Sequence, residues 1–467
     1  MKKGLPENEI DDVLKRGVAD FIDPEGSFRK KLQSKVLGDH KKDIVIKLGI
    51  DPTRPDIHLG HAVVLRKLRK FQDLGCRIVF IIGDFTARIG DPSGKSKTRP
   101  EIEQAEVEEN VKTYLEQVGK IIKTDDTSFS WIRNSDWFMG VTDLSLPDDY
   151  KIDLNLKFEG REISAPIAPN SFLGKAVVFE KTRMQNKISE TGGVWGITMN
   201  TLLWVLRHIT HSRLIQRDLF EDRIKSGGEL HMHEMLYPVL QGMDSHIIAK
   251  LYGSCDLEIG GTDQHFNMLM GRDVMKANGQ EMQSVMTLKI LTGTDGKEKM
   301  SKSLDNYIAV TDSPSQMYGK VMSIADSLML EYFELATYTP PEDIVSIEEG
   351  LGKGKLNPRD VKARLAKEIV AIYHGEKKAI SAEEDFSKTF KDGMVPEDAL
   401  LIESDGNKKL VDLLLEAGVV ESKSEFRRLV SGGAIEVVGG EVVSDQDFIP
   451  GKESDIRIGK KRFVKIR

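Results

Sequence analysis

The chain has 467 residues, with 67 Lys or Arg against 74 Asp or Glu, a net charge of −7 and a mean hydropathy of −0.32. That length is too great for one compact core and predicts roughly two to four domains. The composition excludes a disordered chain, and the acidic balance taken alone weighs against a protein devoted to nucleic acid.

The N-terminal residues Met1 to Glu9 contain no apolar signal core, and no run of 18 apolar residues follows anywhere. Secretion and membrane spanning are disfavoured, and a cytoplasmic protein is expected. Asp43 to Ile50 is a β-branched run and predicts a strand. His61 to Gly75 carries apolar residues at helical spacing and ends on glycine. Arg77 to Gly83 predicts a fully buried strand. Thr98 with Glu101 forms a capping box that opens a helix to about Ile122. This strand–helix alternation predicts a parallel α/β sheet.

Residues 143–193 change character and predict a β-rich insertion. Lys151 to Phe158 alternates, Glu159-Gly160 is a turn signal, and Glu162 to Ala168 and Lys175 to Lys181 are further short strands. Helical pattern returns from Trp195 to His208, and Ser284 to Leu291 is an apolar strand. Residues 314–395 are mostly helical, with an amphipathic segment from Val361 to Tyr373. Residues 396–407 lie in a charged stretch that reads as a linker. The final unit, 408–467, predicts helices at Leu410 to Ala417 and Lys423 to Val430 and a hairpin around Gly439-Gly440. The only cysteines, Cys76 and Cys255, belong to no C-x-x-C pair, so a disulfide framework or zinc site is not expected.

Two segments carry chemistry. Asp51-Pro52-Thr53-Arg54-Pro55-Asp56-Ile57-His58-Leu59-Gly60-His61 follows a strand and opens a helix. Its two histidines share a face beside free N–H groups and the positive end of the helix dipole, a natural seat for phosphates. Lys297-Glu298-Lys299-Met300-Ser301-Lys302-Ser303 lies in a glycine-rich loop after an apolar strand. Lysines on such a loop suit a mobile clamp on phosphate charge. Either motif alone also fits a bland reading, as a capped helix or a solvated loop.

Together, H-x-G-H and K-M-S-K-S resemble the paired motifs of class I aminoacyl-tRNA synthetases. Gly49-Ile50-Asp51-Pro52-Thr53, Gly90-Asp91-Pro92-Ser93-Gly94-Lys95, Tyr237-Pro238-Val239-Leu240-Gln241-Gly242-Met243-Asp244 and Gly260-Gly261-Thr262-Asp263-Gln264 narrow the resemblance to the bacterial tyrosine-specific branch. Met317-Tyr318-Gly319-Lys320, Pro358-Arg359-Asp360 and Ser422-Lys423-Ser424-Glu425-Phe426-Arg427-Arg428-Leu429 resemble it too. The resemblance implies a Rossmann-like catalytic domain over 1–313, an α-helical anticodon-binding domain and a C-terminal S4-like RNA-binding domain.

It also implies a tyrosine–tRNA ligase that uses L-tyrosine, tRNA(Tyr) and ATP with Mg²⁺, acts as a homodimer, and has no resident metal or tightly bound cofactor. His58 and His61 would donate to phosphates, and Lys299 and Lys302 would hold the departing pyrophosphate with Thr53 assisting. Gly49, Gly60, Asp263, Met300 and Ser301 would join Lys302 around ATP. Asp51, Asp91, Tyr237, Gln241 and Gln264 would hold the amino acid, with Asp244 accepting from the phenol. Lys423, Arg427, Arg428, Lys460, Lys461 and Arg462 would meet RNA. Lys47 stands where many members carry a tyrosine and where another branch carries lysine, and Met243 replaces a common tyrosine. His231 and His233 have metal-like spacing but no cysteine nearby, and read as structural, as do His208 and His211. Rival readings are a tryptophan-specific relative, a small-molecule nucleotidyltransferase and a non-catalytic RNA-binding paralogue.

The charge balance sharpens at this point. Residues 408–467 hold 12 basic and 10 acidic side chains, so the acidity belongs to the rest of the chain. A basic cluster can meet phosphate locally on an acidic protein.

Overall fold

The computed structural model describes residues 7–52, 57–92, 104–138, 152–158, 161–167, 197, 199–215, 220, 224–227, 229–392, 399–404, 406–420, 422–438, 440–459 and 462–467. The chain divides into two compact units, residues 1–56 with 63–290, and residues 57–62 with 291–467.

The first unit is an α/β sheet. Its strands are β1 (Val18–Ile22), β2 (Val45–Ile50), β3 (Arg77–Ile82), β4 (Phe129–Arg133), and, after a separate hairpin of β5 (Ile152–Phe158) and β6 (Arg161–Ile167), β7 (Leu257–Gly261) and β8 (Ser284–Leu288). The sheet runs β1-β8-β7-β2-β3-β4, parallel except for the edge strand β1. Continuous apolar strands suit a sheet covered on both faces, and β3 and β8 are buried almost throughout. Strands were expected at β2, β3, β5, β6 and β8, and each is present. β1 was not expected, since its five residues include the polar Asp20 and carry no clear period.

The predicted helix from His61 is Leu59–Asp73, closed by Gly75 at φ +87°. The helix expected to reach Ile122 spans Gln104–Val118, and its capping pair Thr98 and Glu101 lies outside the described residues. The hairpin is antiparallel, with Ile152 opposite Ile167 and Phe158 opposite Arg161. The turn at Glu159-Gly160 and the strand expected at Lys175 to Lys181 lie outside the described residues. Helix Met232–Tyr252 packs closely on helix His265–Ala277. A Cβ at Gly242 would come within 3.0 Å of the Met270 carbonyl oxygen, so only glycine allows that approach.

The second unit begins with a short clamp. Leu59 N–H donates to Ile308 O at 3.0 Å and Val310 N–H to Ile57 O at 2.9 Å, which pairs His58 with Ala309. Helices Pro314–Met322, Met329–Ala336, Pro341–Gly352, Pro358–His374 and Glu376–Asp392 follow. Ser313 and Asn357 cap the first and fourth of these through their side-chain oxygens. The chain ends in a four-stranded sheet of order β10-β11-β12-β9, from β9 (Leu400–Ile402), β10 (Ile435–Val437), β11 (Ser454–Ile458) and β12 (Arg462–Ile466). Helices Leu410–Glu416 and Lys423–Ser431 cover an apolar core that includes Leu414, Phe426, Ile456 and Ile466.

β9 corrects the expected linker. It pairs in parallel with β12, and Ser404 N–H donates to Arg467 O at 2.7 Å, so the C-terminal sheet begins at Leu400 and not at 408. Three residues in a charged stretch carry too little periodicity to read as a strand, and only pairing reveals them. The predicted hairpin survives as β10 and a bridge from Glu436 to Val442. Both cysteines are free and buried. No helix among the described residues is long and apolar enough to cross a membrane.

Candidate functional site

In the first unit, candidate site residues, some predicted and some not, gather at the carboxyl ends of the parallel strands, where loops of an open α/β sheet converge. Asp51 leaves β2, Thr86 follows β3, Asn134 follows β4, and Asp263 and Gln264 follow β7. Helix Met232–Tyr252 supplies Tyr237, Gln241 and Asp244.

Tyr237 Oη donates to Asp51 Oδ2 at 2.8 Å, and Thr86 Oγ1 donates to Asp51 Oδ1 at 2.8 Å. A Cβ at Gly83 would stand 2.1 Å from that same Oδ1, so glycine makes room for the carboxylate. Gln264 Nε2 donates to Asp91 Oδ2 at 2.6 Å. Asn267 Nδ2 lies within 3.1 Å of Gln241 Oε1 and 3.2 Å of Gln264 Oε1. The result is a fence of amides beside two oriented carboxylates. These hydroxyl and amide donors fix direction and add no charge, so the cluster suits a ligand ammonium group.

Asp244 sits deeper. Trp137 Nε1 donates to its Oδ1 at 3.0 Å, and Asn134 Nδ2 lies 3.5 Å from Oδ2. Burial pushes its carboxyl up to about 7, against the opposing pull of Lys47, Trp137 and Asn134. Lys47 and Glu258, both fully buried, form an ion pair of 2.9 Å behind the cluster.

In the second unit, the rings of His58 and His61 stack at 3.8 Å, and His58 N–H donates to His61 Nδ1 at 3.4 Å. Burial first, then the neighbouring Lys302 and Lys299, lowers His61 to about 4 and, with His61 added, His58 to about 2. Both imidazoles are therefore neutral at physiological pH, and each can donate one hydrogen bond without carrying charge. A Cβ at Gly60 would sit 3.0 Å from the His58 ring. Gly49, in the first unit, has open space there instead.

The lysine loop is built around a buried asparagine. Asn306 Oδ1 accepts from Ser301 N–H at 2.7 Å, and its Nδ2 donates to Asp295 Oδ2 at 3.0 Å and Lys299 O at 3.1 Å. Met300 is buried and gives its N–H to Leu291 O at 2.9 Å. The amides of Met300 and Ser301, expected near ATP, are thus spent on holding the loop. Glu331 accepts from both the N–H and the hydroxyl of Thr292 at the base of the loop.

In the C-terminal region, Arg427 and Arg428 are exposed on helix Lys423–Ser431. Lys423 pairs with Asp412 at 3.1 Å and Arg462 with Glu425 at 3.1 Å. Thr53, Lys460 and Lys461 lie outside the described residues. His231 serves the start of its helix, its N–H donating to Glu234 Oε2 at 3.1 Å. His208 Nδ1 lies 2.9 Å from Trp204 O. Sequence reading missed Thr86, Asn134, Trp137, Glu258, Asn267 and Asn306. Asn306 alone had a usable signal, since it lies three residues after the lysine motif.

Comparison with known proteins identifies the family. A family described as tRNA synthetases class I (W and Y) matches residues 39–144 and 195–391. The unmatched stretch between them coincides with the expected insertion. The tyrosine–tRNA ligase of Thermotoga maritima is 40% identical over 463 residues, covering 99% of this chain and 98% of that protein. That of Moorella thermoacetica is 38% identical over 457 residues, covering 97% and 94%. Among solved structures, a C-terminally truncated Aspergillus nidulans mitochondrial tyrosyl-tRNA synthetase gives a TM-score of 0.57 at 18% identity, over 83% of this chain and 96% of that one. The Archaeoglobus fulgidus tyrosyl-tRNA synthetase complexed with L-tyrosine gives 0.51 at 17% identity, over 80% and 99%. At these identities the likeness is one of fold.

Proposed function

The chain belongs to the class I tRNA synthetases of the W and Y type, it is a tyrosine–tRNA ligase, and we propose how its residues divide the work. The tyrosine carboxylate attacks the α-phosphorus of ATP, the bond to the bridging oxygen breaks, and pyrophosphate leaves. A terminal ribose hydroxyl of tRNA(Tyr) then attacks the acyl carbon and AMP leaves. The first step needs no protein nucleophile, so catalysis is positioning plus stabilisation of phosphate charge.

His58 and His61 act as neutral donors to the phosphates, and Lys299 and Lys302 take up charge on the departing pyrophosphate. ATP enters with Mg²⁺ as substrate. Asp263 receives the ribose, Gly49 and Gly60 give the nucleotide room, and Thr53 assists the lysines. Asp51 and Asp91, aligned by Tyr237 and Gln264, hold the ammonium group together with Gln241. Asp244 receives the phenol. The observation that carries this reading is the fence of Tyr237, Asp51, Gln264, Asp91, Asn267 and Gln241, which suits a free amino acid.

The helical region serves in anticodon binding, and the C-terminal sheet acts as an S4-like domain with Arg427 and Arg428 facing RNA. Lys423, Lys460, Lys461 and Arg462 extend that surface. The active form is a homodimer. Met199, Leu203 and Trp204 expose one side of helix Met199–Leu206, while Leu202, Val205 and Leu206 pack into the core, so a second copy has an apolar face to cover.

ATP–pyrophosphate exchange with each amino acid tests the chemistry. Tyrosine is expected to support exchange. Exchange with tryptophan alone overturns the specificity, and none with any amino acid overturns the ligase reading. A solution mass measurement decides the dimer.

A further inference from the structure

One pair of buried charges has no part in the chemistry above. Lys47 and Glu258 are register partners on the parallel strands β2 and β7, 0% and 2% exposed. Desolvating two ions is costly, and such a pair is weak evidence for stability by itself. Its neighbours show what else it does.

Lys47 Nζ has three donors, and three acceptors meet them: Glu258 Oε1 at 2.9 Å, Gln241 O at 3.0 Å and Ser245 Oγ at 2.8 Å. Glu258 Oε1 also accepts from Gln241 Nε2 at 3.0 Å. Its Oε2 accepts from Ser245 Oγ at 3.1 Å and from Gln283 Nε2. Gln241 is therefore held at both ends, its carbonyl by Lys47 and its side-chain amide by Glu258. With Nε2 committed, Oε1 of Gln241 faces Asn267, which leads on to Gln264 and Asp91. Helix His265–Ala277 seals the network, since a Cβ at Gly271 would stand 2.6 Å from Gln283 Nε2 and 2.9 Å from Ser245 Oγ. Lys47 also acts electrostatically on Asp244.

We propose that the Lys47–Glu258 pair is the positioning element of the amino-acid pocket, fixing the orientation of Gln241 and keeping a positive charge beside Asp244. Both groups act through other residues, because their own hydrogen-bonding capacity is filled. The inference rests on the tyrosine reading above. It assigns the lysine of β2 a role in selecting tyrosine that does not require it to touch the substrate.

The test uses the full-length protein and ATP–pyrophosphate exchange with tyrosine and phenylalanine. Glu258→Gln is nearly isosteric. K47M/E258Q removes both charges together and so leaves no buried ion unpaired. Both variants are expected to raise KM for tyrosine about tenfold or more with KM for ATP unchanged, and K47M/E258Q, which also removes the lysine charge that acts on Asp244, is expected to lower the tyrosine-to-phenylalanine ratio of kcat/KM. Thermal unfolding, run in parallel, reports whether each variant folds. Folded variants with wild-type tyrosine KM and selectivity overturn the proposal and leave the pair a packing feature. Equal loss with both amino acids and with ATP also overturns it. Failure of the wild-type protein to exchange with tyrosine would instead overturn the ligase reading.

Discussion

The phenol of Tyr237 donates to Asp51 across 186 residues of sequence, with Oη 2.8 Å from Oδ2. One hydrogen bond thereby joins helix Met232–Tyr252 to the loop that leaves β2. Tyr237→Phe removes a bond to a charged acceptor, worth about 1.5–3 kcal/mol. KM for tyrosine in pyrophosphate exchange should rise about ten- to a hundredfold, with KM for ATP unchanged. An unchanged tyrosine KM would remove this pair from amino-acid binding.

In the proposed mechanism Asp244 receives the phenol. Asp244→Asn should lower the ratio of kcat/KM for tyrosine over phenylalanine by about tenfold or more, because the phenol loses an anionic acceptor. The wild-type carboxyl ionises near pH 7, among Lys47, Glu258, Trp137 and Asn134. KM for tyrosine should therefore fall as pH rises through about 7. In the Asn variant the same titration should be flat, and a persisting transition would assign it elsewhere.

The histidine pair should leave a mark on acid stability. An unfolded chain takes up both protons near the ordinary pKa of 6.5, whereas the folded chain waits until about 4 for His61 and about 2 for His58. Their contribution is present above pH 6.5 and is lost progressively as pH falls from 6.5 through those lower values. The slope is at most about 2.7 kcal/mol per pH unit for two protons. Asp244, with its pKa raised, opposes about half of it above pH 4. Thermal unfolding from pH 6.5 to 4.5 should show a shallower decline in His58→Gln/His61→Gln than in wild type. Parallel curves would contradict the burial argument.

Asn306 ties both limbs of the lysine loop. Asn306→Ala removes three hydrogen bonds, each worth about 1 kcal/mol. The maximal rate of exchange should drop about ten- to a hundredfold, while KM for tyrosine stays near wild type. A change in tyrosine KM without loss of rate would place Asn306 outside loop positioning.

The extent of the C-terminal unit can be tested by truncation. Removing residues 399–467 should spare exchange and cripple tRNA charging. Removing 408–467 instead leaves β9 without β12, exposing Ile402 and lowering solubility. Equal loss of exchange and charging in the longer deletion would make the tail structural.

Local pattern carried much of the molecule. β2 and β3 were legible as β-branched runs, and helices Leu59–Asp73 and Pro358–His374 through apolar spacing and their terminal signals. Motif spacing marks His58, His61, Lys299 and Lys302 as candidates from the sequence alone. Such features rest on neighbours within one or two turns, so the sequence records them directly.

Only the tertiary structure decided the rest. Residues 57–62 join the second unit because His58 pairs with Ala309, a partner 251 positions away. β9 exists because β12 lies beside it. Lys47 reads as a lone cation in an apolar run until parallel pairing sets Glu258 against it, and Asn267 reads as an ordinary helical residue until Gln241 and Gln264 turn toward it. Period and propensity describe a residue's own element. A hydrogen bond between elements depends on which strands lie side by side, and that is fixed only when the whole sheet has formed.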